Sequence, residues 1–132
     1  MLTGLNHITL AVSDLESSFT FYIEVLGFKP HVRWDAGAYL SLGELWLCLS
    51  CDNAIPSQDY SHIALSCGEQ NFKAVVTQLR DAKVIEWKQN TSEGNSIYFL
   101  DPDGHKLEVH CGNLQSRLAS LVEKPYNGLV WF

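Results

Sequence analysis

The sequence predicts an α+β fold made of two tandem βαβββ modules within one domain spanning residues 1–132. An internal repeat is the first sign. Asn6-His7-Ile8-Thr9-Leu10 is echoed by Ser61-His62-Ile63-Ala64-Leu65 in the second half. Each of these short apolar-rich strands is followed by an amphipathic helical pattern, and each helix by three strand-like runs. Neither half could bury its sheet face alone. The two halves, about residues 1–52 and 60–124, therefore read as modules of one domain rather than as independent domains.

The elements follow in order. After the first strand a helix begins at Ser13, with Glu16 three residues on as in a capping box. Leu15, Phe19, Tyr22 and Leu26 recur at helical spacing, and Gly27 ends the helix. Strands cover 28–35, 38–42 and 44–51. Residues 52–60, polar and carrying Pro56, link the modules. The second helix begins at Ser66, again with Glu69 three residues on, and buries Phe72, Val75, Val76 and Leu79. Strands then cover 84–89, 96–100 and 106–111, with the turn Asp101-Pro102-Asp103-Gly104 between the last two. Residues 112–124 form a short helix, and 125–132 an irregular tail.

Composition narrows the function classes. Hydrophobic residues make up 46% and charged residues 18% of 132, an ordinary globular balance. A chain of this size buries roughly two thirds of its unfolded surface. The formal net charge of −6 argues against nucleic acid and anionic membranes, which need a basic face. No signal peptide opens the chain, and no apolar run reaches the ~18 residues of a membrane span. The four cysteines are Cys48, Cys51, Cys67 and Cys111. Cys48 and Cys51 have Cys-x-x-Cys spacing, but no second such pair exists and strand parity sets them on opposite faces, which argues against structural zinc. All four read as reduced thiols of a cytoplasmic protein.

Side chains alternate along a strand, so parity assigns faces. Ile8, Leu10 and Val12 take the helix side of the first strand, leaving His7, Thr9 and Ala11 opposite. Leu45, Leu47 and Leu49 likewise leave Trp46, Cys48 and Ser50. In the second module the polar face carries His62, Ala64 and Ser66, then Ser96, Tyr98 and Leu100, then Lys106, Glu108 and His110. One concave surface thus collects His7, His62, Glu108 and His110. Two imidazoles and a carboxylate hold a divalent metal with positions open for substrate. The same groups also occur as hydrogen-bonded histidines of a core, and spacing alone leaves both readings standing.

The motifs add a resemblance. Leu5-Asn6-His7-Ile8-Thr9-Leu10-Ala11-Val12, Leu45-Trp46-Leu47-Cys48-Leu49-Ser50, Trp87-Lys88-Gln89-Asn90, Ser92-Glu93-Gly94 and Tyr98-Phe99-Leu100-Asp101-Pro102-Asp103-Gly104-His105 together resemble the fosfomycin–glutathione transferases. These FosA-like fosfomycin resistance proteins are part of the vicinal-oxygen-chelate, or glyoxalase, superfamily, and the resemblance runs from residue 1 to about 128. It implies cupped sheets in a homodimer with exchanged modules. It implies Mn2+ held by His7 of one subunit and by His62 and Glu108 of the other, and K+ at Asn90, Ser92, Gly94 and Ser96. The reaction it implies is attack of the glutathione thiolate on the epoxide of fosfomycin. Lys88, Arg117, Thr9, Ser92, Ser96 and Tyr98 match the positions that take the phosphonate. Tyr39 matches a residue acting on the thiol, and Trp46, Cys48 and Ser50 line the route for glutathione. Thr9, Tyr39, Lys88 and Arg117 are the expected catalytic set. His110 is expected to support Glu108 rather than to ligate.

The chain departs from its relatives at Ser61 and Ile63, where Thr and Tyr are common, and after Tyr126. Other readings on the same fold are a hydrolase that opens the epoxide with water, a transferase using another thiol, a drug-sequestering protein and an iron dioxygenase. The hydrolases carry a carboxylate base near the position of Gly37, which has no side chain to serve. Sequestering proteins usually lack the metal triad, and a dioxygenase leaves Lys88, Ser92, Ser96 and Arg117 unexplained.

Overall fold

The computed structural model describes residues 1–132. The first half runs β1 (His7–Val12), α1 (Leu15–Thr20), a π-helical turn (Phe21–Val25), β2 (Lys29–Trp34), β3 (Gly37–Leu42) and β4 (Leu45–Cys51). The second runs β5 (Ile63–Ser66), α2 (Glu69–Asp81), β6 (Glu86–Lys88), β7 (Ser96–Leu100) and β8 (Lys106–His110), followed by α3 (Leu114–Glu123). Each half forms one four-stranded sheet, ordered β1-β4-β3-β2 and β5-β8-β7-β6. The second order is the first advanced by four strands, so the repeat seen in the sequence is a repeat of topology. In both sheets the opening strand pairs in parallel with the last strand of its module, a pairing that needs a crossover connection.

Two compact units emerge. One is Met1–Ser61 with Leu100–His105; the other is His62–Phe99 with Lys106–Phe132. The turn between β7 and β8 thus belongs with the first unit, although its strands belong to the second sheet. Its chemistry explains this. Asp101 accepts from the amides of Asp103 and His105 through Oδ1, and from the Tyr22 hydroxyl through Oδ2 at 2.8 Å. Asp103 accepts from the amide and hydroxyl of Ser13 and from Ser18, and His105 Nε2 donates to the carbonyl of Ala11 at 2.7 Å.

These bonds correct two expected helix starts. Ser13 does not cap α1, because its hydroxyl is taken by Asp103; Asp14 caps it instead, accepting from the Ser17 amide. Ser66 does not cap α2, because it is still in β5, paired with His110. The N-cap is Gly68, with no side-chain bond. The expected end at Gly27 is found, with Gly27 at φ 78° and the Phe28 amide reaching back to the Tyr22 carbonyl. The π-helical turn aims Tyr22 inward, where it is 1% exposed. The last helix is capped by Asn113, whose side chain accepts from the Ser116 amide while the Ser116 hydroxyl accepts from the Asn113 amide. Strand β6 is shorter than the 84–89 expected.

Burial follows parity in β4, where Leu47 and Leu49 are buried while Trp46 is exposed, and in β5, where Leu65 is buried between exposed Ala64 and Ser66. It does not alternate in β7 and β8, where Tyr98 and Glu108 on the polar face are buried along with Ile97, Phe99, Leu107 and Val109. No helix is long and apolar enough to cross a membrane, and all four cysteines are free.

Candidate functional site

In the first unit, register sets the polar face in rows. His7 is opposite Trp46 and Trp46 opposite Ser41; Thr9 is opposite Cys48 and Cys48 opposite Tyr39; Ala11 is opposite Ser50 and Ser50 opposite Gly37. Thr9, Cys48 and Tyr39 therefore lie side by side. The His7 ring stacks at 4.5 Å on Trp46, Trp46 meets Tyr39 edge-on at 5.2 Å, and Tyr39 meets Trp34 at 4.9 Å. Asn6 Oδ1 accepts from His7 Nδ1 at 2.7 Å. With the proton on Nδ1, Nε2 keeps its lone pair, the state a ligating imidazole requires. The role of Asn6 was not anticipated; its place beside His7 was the only signal.

The face ends at Gly37, which has no room for a side chain. A Cβ there would stand 2.5 Å from the Leu49 carbonyl oxygen and 2.7 Å from Trp34 Cζ2.

In the second unit, β5 and β8 set His62 and Glu108 together. His62 Nε2 donates to Glu108 Oε2 at 2.8 Å. The other oxygen, Oε1, accepts from Ser96 Oγ at 2.6 Å, and Ser96 Oγ in turn accepts from His110 Nδ1 at 2.6 Å. Glu108 is only 6% exposed. A carboxylate at that depth is costly unless its charge is met, and here His62 and Ser96 hold both oxygens. Ser96, expected at potassium and substrate, is thus also the link from His110 to Glu108, which parity alone did not reveal. His110 reaches Glu108 through Ser96, with its Nδ1 also 3.5 Å from Glu108 Oε1. The rings of Trp87 and Tyr98 flank His62 at 5.7 and 6.0 Å, and Trp87 is fixed by donating to the Leu107 carbonyl.

The cations divide. Lys88 Nζ lies 5.0 Å over the Tyr98 ring, beside His62. Arg117 on α3 reaches the loop before β7, with Nε 3.3 Å from Glu93 Oε2 and Nη2 3.4 Å from Ser92 Oγ. Against burial, which lowers it, hydrogen bonds to Tyr126 and Glu93 raise the Arg117 pKa. In the same loop Asn90 Nδ2 donates to the Gly94 carbonyl at 2.7 Å, and Asn90 Oδ1 accepts from the Ser92 amide and hydroxyl. Arg117 and Ser92 also line a cleft of about 700 Å3 with Thr91, Ser120 and Tyr126. The structure thus brings together His62, Glu108, Ser96, Tyr98 and Lys88, and separately Asn90, Ser92, Gly94 and Arg117. His7, Thr9, Tyr39, Trp46, Cys48 and Ser50 form the surface of the first unit. Within one chain, no three His, Cys, Asp or Glu side chains cluster as a metal site.

Residues 4–109 match the model of the Glyoxalase/Bleomycin resistance protein/Dioxygenase superfamily. The chain is 55% identical to a glutathione transferase FosA of Serratia marcescens, over 99% of this chain and 96% of that protein. It is 39% identical to a metallothiol transferase FosB of Staphylococcus saprophyticus, over 96% of this chain and 89% of the relative. Among solved structures, the fosfomycin resistance protein FosX of Listeria monocytogenes, complexed with Mn(II) and sulfate, superposes with a TM-score of 0.81 at 28% identity. That match covers 91% of this chain and 98% of FosX.

Proposed function

Because the chain belongs to the glyoxalase/bleomycin resistance protein/dioxygenase superfamily and, within it, to the Fos family, we propose that it inactivates fosfomycin by opening its epoxide with the glutathione thiolate. The observation that carries this reading is the buried Glu108 carboxylate, joined to His62 and Ser96, in a module that also sets Lys88 over Tyr98. A metal ligand pair and an anion-binding cation thus share one sheet face.

We assign a manganese ion to His62 and Glu108 of one subunit and His7 of a second copy in a homodimer. The residues would suit it with the ion in place of the proton that His62 Nε2 shares with Glu108 Oε2: imidazole nitrogen and carboxylate oxygen are an established donor set for such ions, and the buried Glu108 would gain from a cation beside it. The Listeria relative was crystallised with this metal. Bound there, the ion supplies a Lewis acid for the negative charge that develops on the epoxide oxygen. A potassium ion is assigned to Asn90, Ser92, Gly94 and Ser96, in a loop that the Asn90 side chain already closes.

The remaining residues bind and orient. Lys88 as a point charge and Arg117 as a fork take the dianionic phosphonate, with hydroxyl donors from Thr9, Ser92, Ser96 and Tyr98. Glutathione enters along Trp46, Cys48 and Ser50, and Tyr39 stands beside its sulfur. The thiolate forms the S–C bond as the C–O bond breaks, and the alkoxide takes up a proton. The reduced thiol co-substrate places the reaction in the cytoplasm. Gly37 argues against the hydrolase reading: no carboxylate base fits where a Cβ would meet backbone at 2.5 Å.

Purified protein with Mn2+, K+, fosfomycin and glutathione should give the glutathione adduct by mass spectrometry. Turnover to the diol in water, or none with any thiol, overturns the reading. The likeness to metallothiol transferases favours one second reading, in which another small thiol reacts. Competition between equal concentrations of glutathione, cysteine and bacillithiol separates the two.

A further inference from the structure

We propose that Cys67 and Cys111 are a redox-active dithiol that closes to an intramolecular disulfide, a modification site independent of the reaction proposed above. Strands β5 and β8 pair in parallel with Ser66 opposite His110. The ladder runs one step further, since the Cys67 amide donates to the His110 carbonyl at 3.0 Å. Cys67 is therefore opposite Cys111, and parity turns both side chains to the helix side. Neighbouring strands lie about 4.8 Å apart, inside the Cα separation of roughly 4.4–6.8 Å that a disulfide spans. The two sulfurs differ in access: Cys111 is 5% exposed whereas Cys67 is half-buried.

Burial pushes the Cys111 thiol up to about 11, with the Cys67 and Glu69 side chains against it adding to the shift. Cys67 is accordingly the sulfur that meets an oxidant. Its thiolate attacks a low-molecular-weight disulfide, forming a mixed disulfide and releasing one small thiol. The Cys111 sulfur then gives up its proton and displaces the second small thiol, leaving the Cys67–Cys111 bond. Two protein thiols are oxidised and one small disulfide is reduced to two thiols.

The position has a consequence for the loop carrying Asn90, Ser92 and Gly94. The Cys111 amide donates to the Asn95 carbonyl at 2.8 Å. A Cβ on Gly94 would stand 2.4 Å from the Cys111 carbonyl oxygen, so the loop rests directly on the backbone this bond would tether.

The test uses the whole folded protein and glutathione disulfide as oxidant. Remaining thiols are alkylated after unfolding, and the products are mapped by mass spectrometry. Alkylatable thiols should fall from four to two, with a peptide joining Cys67 to Cys111, and dithiothreitol should restore all four. Cys111→Ala should stop at one glutathione on Cys67, and Cys67→Ser should leave Cys111 reduced. The proposal fails if all four thiols stay alkylatable or if the linked peptide joins another pair. It fails equally if the wild-type protein retains glutathione on Cys67 as firmly as Cys111→Ala does.

Discussion

Ser96 shows how much one hydroxyl can decide. It donates to Glu108 Oε1 and accepts from His110 Nδ1, so it fixes the carboxylate rotamer while leaving Oε2 to His62. Partners of this kind are worth about 10- to 100-fold in metal affinity. Ser96→Ala should lower Mn2+ affinity by about tenfold by calorimetry, and Glu108→Gln, which removes the ligand charge, should cost more and abolish most turnover. No loss of affinity in either variant would remove both residues from the proposed metal centre. Strand parity was enough to put His62 and Glu108 on one face from the sequence. It could not show that Glu108 is buried, nor that Ser96 joins it to His110, because both depend on side-chain direction across three strands. Tyr22 makes a different residue-scale case. Burial first, and the neighbouring Asp101 carboxylate second, raise its pKa well above the usual phenol value. A raised folded pKa means this contribution is whole below the unfolded value of about 10 and is lost progressively as pH rises beyond it. Stability should therefore decline above about pH 10. Tyr22→Phe should flatten that decline while costing about 1.5–3 kcal/mol at neutral pH, as a hydrogen bond to a carboxylate is lost. Denaturant melts at pH 8 and 10.5 check both signs.

At the scale of elements, local signals and tertiary demands compete. Ser13 with Glu16 has the spacing of a capping box, yet Asp14 caps α1 because Asp103, ninety positions on, claims the Ser13 hydroxyl. Nothing near Ser13 in the sequence announces Asp103. Ser66 is likewise held in β5 by pairing to His110, so α2 starts two residues late on an uncapped glycine. Asn113 had no such competitor and built its own box. Since α3 carries Arg117, Asn113→Ala should destabilise the protein by about 1 kcal/mol and raise the KM for fosfomycin more than it lowers kcat. An unchanged KM would mean α3 does not position the cation. In β3, Gly37→Ala forces a Cβ against the Leu49 carbonyl and the Trp34 ring. Overpacking of this kind costs about 1–3 kcal/mol, and Gly37→Glu should be no better tolerated and should gain no hydrolysis of the epoxide. A well-folded Gly37→Glu variant that makes the diol would show that Trp34 yields, and that the thiol specificity rests elsewhere.

At the scale of the molecule, the repeat decides the logic of the site. Two sheets of the same strand order carry the residues that the proposed site would draw on: His7, Thr9 and Tyr39 on one, His62, Glu108 and Lys88 on the other. The repeat and the faces were legible because periodicity is written along a single strand; the strand order was not, since it depends on which strands pair across the sheet. That the proposed metal site is shared between chains rests on resemblance alone, since no local pattern encodes a partner. A symmetric dimer with exchanged ligands makes a prediction that a one-chain site cannot match. His7→Ala and Glu108→Gln homodimers should both be inactive. In a mixed dimer, one site collects both defects, while the other combines the intact His7 of the Glu108→Gln chain with the intact His62 and Glu108 of the His7→Ala chain. Free exchange of equal amounts makes half the dimers mixed, so about a quarter of wild-type sites should return. Activity and Mn2+ stoichiometry should rise together on mixing and vanish if the subunits are cross-linked beforehand. If the three ligands came from one chain, every site in the mixture would carry a defect, and mixing would recover nothing.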